Sequence, residues 1–248
     1  MLFHEFGEKG NPTLLLMHGM MQDWHTAYDL LKPLEERFRL IVPAMDGMYP
    51  NSPEFTTFAE QCRKIEAYVN AHYNGQLKGV YGVSQGATVL SELLARGNIT
   101  AETAILDGAY VAHQGRAAAW FGYGAFQRVK KNGGKFPKAM NTVMKLMGLG
   151  EEDYEMFSAM YWDVSKESMK RNLMENYTYR ANPALAHTDT KVHLWCGSKE
   201  PYAIMSHETL KQYLKNYEEV IFPDMGHGQM LLRHSDEMCG KIIETILN

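Results

Sequence analysis

The sequence predicts an α/β protein built on a mostly parallel sheet, and three observations predict it. Short apolar runs bounded by turn residues alternate along the chain with longer amphipathic stretches, the pattern of successive β-α units. One run leads through Gly82-Val83-Ser84-Gln85-Gly86 directly into a helical pattern. The 248 residues are 45% hydrophobic and 22% charged, a globular balance with ample apolar material for a sizeable core.

Taken in order, the strands are "TLLLM" at 13–17, "RLIVP" at 39–43, "LKGVYG" at 77–82, "TAIL" at 103–106, "VHLWC" at 192–196 and "EVIF" at 219–222. The amphipathic stretches between them predict helices over 26–36, 57–72, 85–95, 206–215 and 234–247. Thr56 or Thr57 is placed to cap the second of these, with Glu60 completing a capping box.

The alternation stops between 111 and 190, where no strand pattern occurs. That stretch reads "WFGYGAFQRVKK", "AMNTVMKLMGLG", "YEMFSAMYW" and "MKRNLMENYTYR", rich in Met and aromatics and helix-like throughout. It is too long for a plain loop. It predicts a helical cap (residues 111–190) inserted between late strands of a core formed by 1–110 and 191–248. Trp120, Phe121, Tyr123, Phe126, Met140, Met144, Met147, Met156, Met160, Tyr161 and Trp162 are its candidates for lining a pocket or packing the cap itself.

Charge and cysteine usage narrow the function. The formal net charge is −4, so no basic excess exists to neutralise a nucleic acid or an anionic membrane surface. No run approaches the roughly 18 consecutive apolar residues of a membrane span. The first residues lack a basic head, a long apolar stretch and a small-residue cleavage site, which predicts a cytoplasmic protein. Cys62, Cys196 and Cys239 form no C-x-x-C pair; they predict reduced thiols, two of them buried, and no structural zinc.

The chemistry-bearing stretch is "GVYGVSQGATVL". A chain that turns sharply from strand to helix can project a serine oxygen from the sheet's C-terminal edge, provided no side chain two positions away blocks the bend. Gly82 and Gly86 flank Ser84 at that spacing, and the following helix N-terminus offers free N–H groups to developing negative charge. A serine nucleophile needs a base oriented by an acid. Of ten histidines, His227 in "FPDMGHGQM" sits in a glycine-flanked loop after the last strand and is the candidate base. Two acids compete: Glu200 in "LWCGSKEP", favoured because the Gly197-Ser198 turn aims it at the histidine loop, and Asp107 in "ILDGAY". An oxyanion needs two N–H donors. Gln85, next after the serine, supplies one, and Met20, after His18-Gly19 at the end of the first strand, supplies the other through its backbone.

Together, "LLLMHGM" with Trp24 behind it, "VPAMDG", "YGVSQG", "GSKEP" and "MGHG" resemble the α/β-hydrolase superfamily in its capped form. The resemblance spans most of the chain outside 111–190. It implies a doubly wound, mostly parallel sheet of about eight strands and a catalytic triad of Ser84, Glu200 and His227. Glu at the acid position and "MYPNSP" after Asp46-Gly47 depart from the commonest pattern.

These readings predict a serine hydrolase needing neither metal nor organic cofactor; the first strand turn, "HGMMQDW", carries no dinucleotide fingerprint. A carboxylesterase acting on small or medium apolar esters fits the Met- and aromatic-rich cap. The alternatives are C–C bond, thioester or amide hydrolysis on the same fold, or a non-catalytic ligand-binding protein. A basic residue facing Ser84, from among Arg116, Arg128, Lys145 and Arg180, would favour an acidic substrate. A serine at the elbow disfavours epoxide or haloalkane chemistry, which uses aspartate.

Overall fold

Leu14, Leu15, Leu16 and Met17 of the first predicted strand are all fully buried, and they alternate between two separate hydrophobic clusters: Leu14 and Leu16 in one, Leu15 and Met17 in the other. A strand whose successive side chains both meet a core has helices on both sheet faces, the condition for a parallel sheet. The same split recurs in Leu40 and Val42 against Ile41, and in Ile105 against Ala104 and Leu106.

The computed structural model describes residues 1–135, 144, 145, 147–150, 153 and 162–248. The strands are β1 (Leu2–Phe6), β2 (Thr13–Met17), β3 (Arg39–Ala44), β4 (Gln76–Val83), β5 (Thr100–Asp107), β6 (Lys191–Gly197) and β7 (Tyr217–Phe222). The described residues form one seven-stranded sheet of order β1-β3-β2-β4-β5-β6-β7, in which only β1 runs antiparallel. The chain moves outward from β2 to β3 and then crosses to β4 on the other side. A topological switch point therefore lies between β2 and β4, where ligands meet an open α/β sheet.

The helices are α1 (Trp24–Leu31), α2 (Phe58–Tyr73), α3 (Gln85–Arg96), α4 (Arg116–Lys131), α5 (Lys166–Thr178), α6 (Pro201–Leu210), α7 (Gln229–Arg233) and α8 (Ser235–Leu247). Helices α4 and α5 lie between β5 and β6 and pack against each other. None of the described helices is long and apolar enough to cross a membrane.

Several sequence expectations are corrected. The sheet has seven described strands where about eight were expected, and its first, β1, gave no buried run because it is a half-exposed edge strand. It is fixed by Phe3 stacking on Tyr68 and Phe6 on Tyr28, each at 3.9 Å. The helix expected over 26–36 starts at Trp24, capped by Asp23, and tightens into a 3-10 turn at Lys32–Glu36 where Pro33 stands. The helix expected over 206–215 is Pro201–Leu210, since Pro201 suits a first turn and the chain turns away after Leu210. The last helix is preceded by the short α7, with His234 at the joint. Thr57 does cap α2, accepting from the Glu60 N–H, but the Glu60 carboxylate holds Arg63 instead of closing the box. All three cysteines are buried, not two.

Candidate active site

Ser84 follows β4 directly, with φ 56° and ψ −120°, a left-handed backbone that a side chain tolerates only under constraint. The constraint is steric closeness on both sides. A Cβ on Gly82 would lie 2.6 Å from the Gly86 carbonyl carbon, and one on Gly86 would lie 2.4 Å from the Met17 carbonyl oxygen. Neither position has room for any other residue, so α3 is pressed onto the ends of β4 and β2. The Ser84 N–H donates to the Asp107 carbonyl at 2.7 Å, tying the bend to β5.

His227 is buried on the loop after β7. Its Nε2 stands 2.8 Å from Ser84 Oγ and its Nδ1 2.6 Å from Glu200 Oε2. A carboxylate can only accept there, so Nδ1 carries the proton and Nε2 is left to accept from the serine hydroxyl. Glu200 is itself held: its Oε1 accepts the Gly197 N–H at 2.5 Å across the short turn that leaves β6. Burial disfavours the imidazolium of His227, but the Glu200 charge and hydrogen bond outweigh it and hold the ring above its usual value of 6.5.

Asp107, the other acid, ends β5 and turns to the sheet interior, where Tyr81 donates to its Oδ2 at 2.9 Å. Burial, together with the neighbouring Glu200 charge, pushes its carboxyl up to about 7. The structure brings Glu200 and not Asp107 onto the histidine.

Met20 lies on the loop after β2, against the serine: a Cβ built on Gly19 would stand 3.6 Å from Ser84 Cβ. The Gln85 N–H is the first of α3 and has no acceptor within the helix. The Met20 N–H has no partner among the described residues, whereas the Gly19 N–H is taken by Gln22 Oε1 at 2.8 Å. The loop is fixed by His18, which is wholly buried: its Nδ1 lies 3.0 Å from the Gly19 carbonyl and its Nε2 accepts the Met45 N–H at 3.2 Å. Burial drives His18 down to about 4 and keeps it neutral. The sequence offered the motif but no sign of this second hydrogen bond.

Two lobes of one cavity open over Ser84 and share Met20, Ser84, Met147 and His227. The first is walled by Val83, Phe126, Leu231 and Leu232; the second by Tyr110, Gln114, Phe121, Asn176, Tyr177 and Tyr202. Of the expected cap residues, Phe121, Phe126 and Met147 reach these walls, while Trp120 faces solvent beneath Lys170 and Met144 is buried in packing. Trp162 packs beside Phe126 at 5.8 Å. Met140, Met156, Met160 and Tyr161 lie outside the described residues. Arg116, Arg128, Lys145 and Arg180 are all exposed and none lines either lobe. The chain between α4 and α5 also holds His227: the Met147 carbonyl accepts the His227 N–H at 2.9 Å, and Asp153, buried, binds Gln229 and Arg233 of α7.

The fold so described is that of the α/β hydrolases. No family model matches the sequence, and no curated protein is similar to it at a significant level. Among solved structures, a Desulfitobacterium hafniense protein named for the alpha/beta hydrolase family is similar over the full length of both chains, with a TM-score of 0.86 and 24% identity. The enol-lactonase from Burkholderia xenovorans LB400 is similar over 100% of this chain and 96% of its own, at TM-score 0.77 and 14% identity. A thermophilic esterase from Thermogutta terrifontis covers 98% of this chain and 93% of its own, at 0.74 and 17%.

Proposed function

We propose that this chain is a serine hydrolase that cleaves carboxylic esters through an acyl-enzyme on Ser84. The observation that carries the reading is the continuous hydrogen-bonded line from Ser84 Oγ through His227 to Glu200, with contacts of 2.8 and 2.6 Å. Ser84 Oγ attacks the ester carbonyl carbon while His227 Nε2 takes its proton. Glu200 keeps Nδ1–H in place and offsets the imidazolium charge. The Met20 and Gln85 N–H groups receive the tetrahedral oxyanion. His227 then protonates the departing alkoxide, and water, deprotonated by the same nitrogen, releases the acid from Ser84.

Residues 111–190 are read as the helical cap over a core of 1–110 and 191–248. Support comes from α4 and α5, which contribute Phe121, Phe126, Asn176 and Tyr177 to the cavity walls. An ester is favoured by the apolar lobe beside the serine and by the enzymes of ester and lactone chemistry that share the fold. The absence of Arg116, Arg128, Lys145 and Arg180 from the described walls argues against an acidic substrate. The test is turnover of p-nitrophenyl esters over a series of acyl lengths, beside Ser84→Ala and labelling by a fluorophosphonate. Turnover and labelling that both vanish with Ser84→Ala are expected. A wild type that neither turns over nor labels sinks the hydrolase.

A further inference from the structure

The two lobes over Ser84 differ in chemistry. The first presents mostly carbon, from Val83, Phe126, Leu231 and Leu232, and its one amide, Gln22, already accepts the Gly19 N–H. The second carries three phenol hydroxyls and two amides, on Tyr110, Tyr177, Tyr202, Gln114 and Asn176. A polar group removed from water costs free energy unless it is paired, and these are poorly paired. Asn176 is 7% exposed, and its Oδ1 has no hydrogen-bond partner among the described residues. Nor does the side chain of Tyr110, Gln114, Tyr177 or Tyr202 hold a hydrogen bond among them.

The second lobe is also aromatic and uncharged. The Tyr110 and Tyr202 rings lie 6.4 Å apart, and Tyr110 meets the His227 ring edge-on at 5.1 Å. No Lys, Arg, Asp or Glu is among the described walls of either lobe. A charged substrate would enter without a counter-ion, and an all-hydrocarbon one would leave the amides and phenols unsatisfied. A planar ring suits aromatic walls, and a neutral hydroxyl suits Asn176 and Gln114, since it both donates and accepts.

We propose that the second lobe selects a neutral, hydroxylated aromatic ring, so that the substrate is an ester with such a ring on one side of the scissile bond and hydrocarbon on the other. The inference rests on the hydrolase reading for the bond broken, but not for the binding. Recognition of the ring belongs to Asn176 and Gln114, with the tyrosines as walls.

The test measures binding to full-length Ser84→Ala protein by calorimetry, using two matched pairs. One pair is methyl 3-phenylpropanoate and methyl 3-(4-hydroxyphenyl)propanoate. The other is 2-phenylethyl butanoate and 2-(4-hydroxyphenyl)ethyl butanoate. In at least one pair the hydroxylated member is expected to bind about tenfold more tightly, the scale of one satisfied buried hydrogen bond. Adding Asn176→Leu, or Gln114→Leu at the more accessible position should the former not fold, is expected to bring that ratio near one. Equal or weaker binding of both hydroxylated members, no binding of any of the four, or a preference that survives both substitutions overturns the inference. Wild-type turnover of the same esters separates the two claims. Selective binding with neither turnover nor fluorophosphonate labelling leaves the lobe standing and sinks the hydrolase, whereas turnover without selectivity does the reverse.

Discussion

Asp107 and Glu200 leave the ends of neighbouring parallel strands, β5 and β6, both nearly out of solvent, and only Glu200 touches the histidine. Asp107 is still inside the ladder, paired with Val83 on one side and Trp195 on the other. Sheet register therefore sets its direction, toward the Tyr81 hydroxyl, before any loop can redirect it. Glu200 stands three residues past its strand, on a turn closed by its own contact with the Gly197 N–H. A short loop gives a carboxylate the reach that a ladder position denies. The excluded acid still matters, because its charge lies close enough to raise His227 and to be raised by Glu200 in return.

The comparison breaks most sharply at Glu200. Glu200→Gln is expected to lower kcat by about 10³–10⁴-fold, as loss of the histidine-orienting acid does elsewhere, and Asp107→Asn by less than about tenfold. Steady-state ester kinetics on both variants decide it; comparable losses would return Asp107 to candidacy. Gly108→Ala comes next. Gly108 has φ +61°, and a Cβ there would stand 3.1 Å from His227 Cε1 and 3.2 Å from Glu200 Oε2. Displacing that pair by a fraction of an ångström is expected to cost about 10²-fold in kcat, with the fold retained by circular dichroism.

A subtler expectation concerns pH. His227 must be neutral to accept the serine proton, and Glu200 holds its value above 6.5, so the acid limb of kcat/KM falls on the alkaline side of 6.5. Asp107→Asn removes one of the charges that raise His227, and the limb should move to lower pH. An unmoved limb would mean that Asp107 carries no charge at working pH.

The smallest effect is on stability, where two buried groups oppose each other. His18 has a folded value near 4 against 6.5. It contributes stability above pH 6.5 that is lost as pH falls toward 4, roughly 3 kcal/mol in all. Asp107 is raised from 3.8 to about 7, so its contribution is present below 3.8 and lost as pH rises through 7. In the wild type the two offset each other between pH 4 and 6.5. In Asp107→Asn only His18 remains, so Tm should drop more steeply on acidification, and rise relative to wild type at pH 8. Parallel Tm profiles would count against the Asp107 assignment, and a flat profile for Asp107→Asn between pH 4 and 6.5 against that of His18.

What the sequence made legible follows from how local each requirement is. The elbow needs small residues two positions either side of Ser84, and that constraint is written in five consecutive letters. The order of serine, acid and histidine follows from strands that announce themselves as apolar runs. The edge strand β1 shows none of that, because none of its residues is fully buried. The interval 206–215 misled because the helix that overlaps it begins on Pro201, whose fitness for a first turn is a matter of backbone, not of apolar spacing. The second lobe was the least visible part. Tyr110, Gln114, Asn176, Tyr177 and Tyr202 come from three separate stretches of chain with no shared period, and only folding gathers them.

The hydrogen bond from the His227 N–H to the Met147 carbonyl has a consequence for anyone redesigning this protein. The chain at Met147 braces His227 as well as walling the cavity. Gly148 and Gly226 pass so closely that a Cβ on Gly226 would fall 2.2 Å from the Gly148 oxygen, and Asp153 ties the same segment to α7. A transplant that exchanged everything from 111 to 190 to change selectivity would unseat the histidine it was meant to serve. A graft that kept 147–153 and replaced only the α4 and α5 walls would exchange the chamber and leave the engine mounted.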